Sequence, residues 1–144
     1  MKKLLLLFFV LSSITVFANQ YKDGVYYVVA NKGTWGWKPF TQITVKNGKI
    51  TEVITDRINS KGELASKDES YNSSMLKKNK TNPKDYSDKL PKNYYKANGN
   101  IDKIDGIAGA TDTVNEFKVM MKFLIDKAEK GQPGKYEIDK KLLN

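Results

Sequence analysis

Asp105-Gly106-Ile107-Ala108-Gly109-Ala110-Thr111-Asp112-Thr113-Val114-Asn115-Glu116 reads as a loop that turns into a helix. Thr113 and Glu116 stand three apart, the spacing of a capping box, in which hydroxyl and carboxylate satisfy reciprocal backbone donors. A helix is therefore expected from near Val114. Phe117, Met120, Met121, Leu124 and Ala128 follow at i, i+3, i+4, i+7 and i+11, a stripe that needs a core to cover it, and Gly131 and Pro133 supply the stop. Upstream, Gly109 and Ala110 leave space for a bulky group to approach the chain. The helix start offers unpaired N–H groups that suit a phosphate. On this chemistry alone, Gly109-Ala110 is equally well read as a tight turn, with Thr111 a capping residue displaced by Thr113.

The partner for that stripe lies in the first half of the chain. Val25-Tyr26-Tyr27-Val28-Val29-Ala30 is β-branched and aromatic, and Asn31-Lys32-Gly33 closes it as a turn. Phe40-Thr41-Gln42-Ile43-Thr44-Val45 alternates apolar and polar, and Ile50-Thr51-Glu52-Val53-Ile54-Thr55 follows after Asn47-Gly48, a strong hairpin signal. Val45 and Ile50 should then face each other on a buried side. These elements predict an α+β fold, a small antiparallel sheet with a hairpin packed against the amphipathic helix of the C-terminal half.

From Asp56 to about Asn100 the sequence is polar, carries Pro83 and Pro91, and reads as loop and short helix. Within it, Glu69 to Lys78 can form a helix with Tyr71 and Met75 on one face. The tail from Tyr136 to Leu143 is compatible with a strand or a helix.

Met1-Lys2-Lys3, an apolar run Leu4 to Leu11, and Val16-Phe17-Ala18 follow one another in the order of a secretory signal. The apolar run is short of the roughly 20 residues of a spanning helix. The expected division is a signal peptide at 1–18 and one mature domain at 19–144, with no transmembrane segment after cleavage and an extracytoplasmic location, periplasmic or secreted. The chain has no cysteine and no histidine, which excludes disulfide staples, a lipidated cysteine, Ser-His and Cys-His nucleophiles, and imidazole ligation of zinc or haem. It also leaves a hydroxyl as the natural anchor for a covalent cofactor. Formal charge is +9, and loss of Lys2 and Lys3 leaves +7. The lysines are interleaved with acids, so a solvated surface and no nucleic-acid partner are expected.

Asp105 to Thr111 resembles the pattern Asp-x-x-(Ser/Thr/Ala)-Gly-Ala-Thr of the FMN-binding domain family, which includes flavin-bearing subunits of sodium-pumping quinone reductases and related electron-transfer complexes. Asp23-Gly24-Val25-Tyr26, the hairpin around Asn47-Gly48, Asp68 to Asn72 with Met75, and Thr81 to Lys84 resemble secreted single-domain members that carry electrons out of Gram-positive bacteria. The resemblance implies FMN joined through its phosphate to Thr111 by a dedicated flavin transferase, and an electron carrier served by membrane or extracytoplasmic redox proteins. Asp105, Ala108, Gly109, Ala110, Asp112 and Thr113 would form the modified loop. Ala108 stands where serine or threonine is frequent. Trp35, Trp37, Tyr71 and Met75 are candidates to hold the ring, and Asn72 to hydrogen-bond its polar edge. The rival readings are an FMN-dependent reductase with its own substrate and a non-redox surface or adhesion protein.

Overall fold

The computed structural model describes residues 20–144, so the signal-peptide expectation and the cleavage point near Ala18 lie outside the described residues. Three strands open the fold: β1 (Gly24–Ala30), β2 (Lys38–Lys46) and β3 (Lys49–Ile58). Three helices follow, α1 (Glu69–Asn79), α2 (Pro83–Lys96) and α3 (Thr111–Glu129), and then β4 (Gly134–Ile138). Among the described residues, no helix is long and apolar enough to cross a membrane.

The hairpin forms as read. Asn47 and Gly48 take φ of 52° and 73°, Lys46 pairs with Lys49, and Val45 with Ile50. A contribution the sequence reading lacked comes from Asp23, whose carboxylate accepts from the Asn47 and Gly48 N–H groups at 3.0 and 2.9 Å. Those two bonds hold its pKa below the ordinary carboxylate value.

The sheet is mixed, a correction to the purely antiparallel expectation. Its order is β3-β2-β1-β4, with β1 and β4 parallel. The reason lies in α3, whose last turn ends beside the start of β1, where Lys22 N–H donates to the Ala128 carbonyl at 3.2 Å. The chain therefore enters β4 at the end where β1 begins, and Gly134 pairs with Tyr26.

The α3 stripe is buried as expected: Phe117, Met120, Met121, Leu124 and Ala128 pack with Tyr26, Val28, Ile43 and Val45 of the sheet. Full burial of such side chains is worth about 1.5–3 kcal/mol each, before the entropy of ordering them. Thr41 is fully buried between sheet and helix, its hydroxyl 3.1 Å from Thr55 Oγ1 and 3.4 Å from Met120 Sδ.

The stretch read as loop and short helix holds two full helices. Asp68 caps α1 by accepting from Tyr71 N–H, and Asn82 caps α2 by accepting from Asp85 N–H. Pro83 sits at the start of α2, where a missing N–H costs nothing. The helix continues through Pro91 because Tyr86, Leu90 and Tyr94 bury one face of it. The tail takes both expected forms in turn, β4 and then a 3-10 turn at Lys140–Leu143.

Tyr94 gives this packing a pH signature. Burial, then the neighbouring Tyr21 and Tyr95, push its phenol up to about 12. A raised folded-state pKa favours the neutral phenol, so its contribution is intact below about pH 10 and is lost as pH rises towards 12. Tyr94→Phe should flatten the fall of denaturant midpoint across that window. An equally steep fall in the variant would contradict the assignment.

Candidate functional site

Thr111 is the first helical residue of α3, not a loop residue two positions upstream of a cap. This corrects the capping-box expectation. Ala110 occupies the cap and offers no side-chain bond, so the N–H groups of the first turn are left without a side-chain acceptor. Thr113 and Glu116 turn instead to Arg57 of β3, whose Nη2 donates to Thr113 Oγ1 at 3.1 Å and Glu116 Oε2 at 3.0 Å.

The two small residues before Thr111 have reasons the sequence did not disclose. Gly109 has φ of +83°, and a Cβ there would lie 1.9 Å from the Asn79 carbonyl oxygen. The close approach is thus by the chain's own α1. Ala110 is buried in the core. Together they fasten the start of α3 against the end of α1.

Between these helices and the turn after β1 lies a cleft of about 610 Å³, within the range of about 300–1,000 Å³ typical of small-molecule sites. Thr111 lines it with Gly109, Ala110, Asp112 and Thr113. Tyr71 and Met75 enter from α1, confirming that they share a face, with Lys78 and Asn79 one turn further on. Arg57, Tyr86 and Glu116 complete it, and Thr34 and Trp35 reach it from the turn.

Trp35 is 85% exposed and has φ of 56°. Reciprocal backbone bonds join Thr34 and Trp37, and Gly36 has φ of 81°, so Trp35-Gly36 forms a two-residue turn with both centres left-handed. That first centre favours asparagine or glycine, and a bulky aromatic there is strained. Trp35→Asn should hold or raise the thermal midpoint while exposing the contents of the cleft. A large loss of stability would mean that the indole serves packing.

The remaining sequence candidates are not in the lining of this cleft, and Asp105 lines a separate cavity with Lys96 and Asn93. Trp37 is buried, its ring 5.5 Å from that of Tyr71, which it backs. Asn72 is also buried. Its Nδ2 donates to the Ala65 and Asp68 carbonyls, and its Oδ1 accepts from Lys84 N–H, which ties α1 to α2. Asp105 is exposed, forms a 3.2 Å ion pair with Lys96, and accepts from Asn93 at its carbonyl. Ala108 is exposed in the turn before Gly109.

Sequence reasoning missed Thr34, Arg57, Lys78, Asn79, Tyr86 and Glu116, which reach the cleft from the turn after β1 and from β3, α1, α2 and α3. A signal existed for one of them: Arg57 is the single arginine in a chain with 25 lysines and arginines. Burial works against its charge, but Tyr86 and Glu116 outweigh that and hold its pKa above the ordinary value. Burial pushes the Tyr86 phenol up to about 12, with Arg57 opposing. Burial also raises Glu116, again opposed by Arg57.

Residues 33–126, which run from the Trp35 turn through most of α3, match the FMN-binding domain. The chain belongs to the FMN-binding domain family. The matched span contains every residue that lines the cleft. Among relatives of this domain is the 15 kDa lipoprotein of Treponema pallidum, 27% identical over 97 residues that make up 67% of this chain and 68% of the lipoprotein. The crystal structure of the CPE2226 protein from Clostridium perfringens superposes with a TM-score of 0.74 at 31% identity, covering 83% of this chain and 98% of that one. The cleft suits an FMN-binding domain: a hydroxyl at a helix start, aromatic and thioether walls, and polar groups at its base.

Proposed function

We propose that this protein is an exported electron carrier bearing FMN esterified through its phosphate to Thr111, installed by a separate flavin transferase. The observation that carries the reading is the placement of Thr111, an exposed hydroxyl on the first turn of α3 at the edge of the cleft. A phosphate there lies at the positive end of the helix. Such terminus interactions are worth about 0.3–1 kcal/mol when exposed and up to ~2 when partly buried. That is enough to orient a tethered group and too little to retain a free one, so the ester supplies retention. Asp112, in the same first turn, is a competing negative charge and strengthens the case for a covalent bond.

Trp35, Tyr71 and Met75 would flank the ring, with Trp37 fixing Tyr71 from behind. Bound flavin supplies the redox chemistry, while the protein supplies position and electrostatics. A cleft open to solvent favours a carrier that meets redox proteins at the membrane or beyond it. Export is supported by the leader-like N-terminus and by a relative named as a lipoprotein. This chain contains no cysteine to carry a lipid.

Co-expression with a flavin transferase tests the reading. The purified protein should be yellow and should keep its flavin absorbance through acid precipitation and washing in denaturant. Colour released into the supernatant would mean non-covalent binding, and a colourless protein would reject the cofactor assignment.

A further inference from the structure

Arg57 is the most committed cation of the site. The chain uses lysine everywhere else, yet places its one arginine where β3, α2 and α3 meet. Lysine's single ammonium cannot reproduce what the planar fork does here. Nε donates to Tyr86 Oη at 3.0 Å, and Nη2 donates to Thr113 and Glu116. The side chain is 11% exposed, and the residue lines the cleft. These bonds engage Nε and Nη2, and the remaining donors of the fork are those of Nη1.

Burial sets this group apart from the attachment point. Thr111 is exposed, whereas the side chains of Arg57 and its partner Glu116 are 11% and 8% exposed. A flavin tethered at Thr111 would have its phosphate at the helix start, and Arg57, less exposed and lining the same cleft, would be left to its ring. We infer that Arg57 is a ring-binding residue whose Nη1 donors favour the reduced flavin over the oxidised one. This rests on the proposed attachment at Thr111.

Bound flavin would supply two-electron chemistry, and on taking up two electrons and one proton it would carry an added negative charge at its pyrimidine edge. The electrons would come from a redox-protein partner. Charge-assisted donors at that edge stabilise the product more than the reactant, so they raise the midpoint potential. Glu116 cancels the net charge of Arg57, which makes the effect one of directed hydrogen bonds rather than of overall field.

The test is spectroelectrochemical titration of transferase-loaded protein, with dithionite as reductant. Three forms are compared: wild type, Arg57→Lys, and the charge-balanced pair Arg57→Met with Glu116→Gln. The pair leaves net charge unchanged and avoids an orphaned carboxylate. In both variants the reduced-to-oxidised ratio at a given potential should fall at least tenfold, a lowering of about 30 mV for a two-electron couple. An unchanged potential in loaded, folded Arg57→Lys overturns the inference, whether or not the double variant folds. Reduced loading with an unchanged potential also overturns it, because Arg57 would then serve the phosphate or the transferase. A wild type that takes up no covalent flavin instead refutes the attachment at Thr111, which separates the two failures.

Discussion

Gly109→Ala is expected to destabilise the protein by at least about 2–4 kcal/mol and to abolish flavin loading. Two costs add. The residue has φ of +83°, and the new methyl would sit 1.9 Å from the Asn79 carbonyl oxygen. The left-handed conformation alone costs a non-glycine residue about 1–2 kcal/mol. The clash falls on backbone at the end of α1, so no side chain can swing away, and relief requires α1 and the start of α3 to separate. Tyr71 and Met75 ride on α1, and Thr111 on α3. The same movement therefore takes apart both walls of the cleft. Chemical denaturation and flavin absorbance, measured on one preparation, should fall together. A variant of wild-type stability would refute the packing role assigned to this glycine.

Thr111→Ala should do the opposite, removing the flavin and sparing the fold. The side chain is exposed at the first position of α3, and its hydroxyl makes no capping bond. Substitutions at such surface positions usually stay within about 0.5 kcal/mol. Covalent FMN should nevertheless vanish, because neither Asp112 nor Thr113 can take over. Asp112 has no hydroxyl, and that of Thr113 is half-buried and held by Arg57, unlike the exposed Thr111. Thr111→Ser keeps the oxygen and should retain flavin. Thr111→Ala and Gly109→Ala thus distinguish loss of an anchor from loss of the site that surrounds it.

Periodic and local features of the fold were legible in the sequence. The i, i+3, i+4 stripe of α3 and the Asn47-Gly48 turn each depend on residues close in the chain, and both formed as read. The parallel β1–β4 pairing was not legible, because it follows from where α3 ends in space. The start of α3 was misread for a related reason. Thr113 and Glu116 have capping-box spacing, but their side chains are claimed by Arg57, 56 and 59 residues away. Charge-assisted bonds to Arg57 occupy both side chains in place of a local cap worth about 1 kcal/mol. Pro83 and Pro91 suggested broken structure, whereas one starts α2 and the other is carried by the buried face around Tyr86, Leu90 and Tyr94.

For the site, the motif singled out Thr111, although the helix starts there and not near Val114, and the spacing of Tyr71 and Met75 placed both on the side of α1 that lines the cleft. The roles of Gly109, Ala110 and Asn72 were not legible, since each depends on a contact with a remote part of the chain. Arg57 announced itself only by being unlike every other basic residue. Its meaning required the three elements that converge on it.

Attachment of FMN at Thr111 is decided by intact-mass spectrometry of wild-type protein and Thr111→Ala, each co-expressed with the flavin transferase and denatured before injection. Wild type should carry an increment equal to FMN less one water, and Thr111→Ala should have its unmodified mass. An unmodified wild type, or the same increment on both proteins, would contradict attachment of FMN at Thr111.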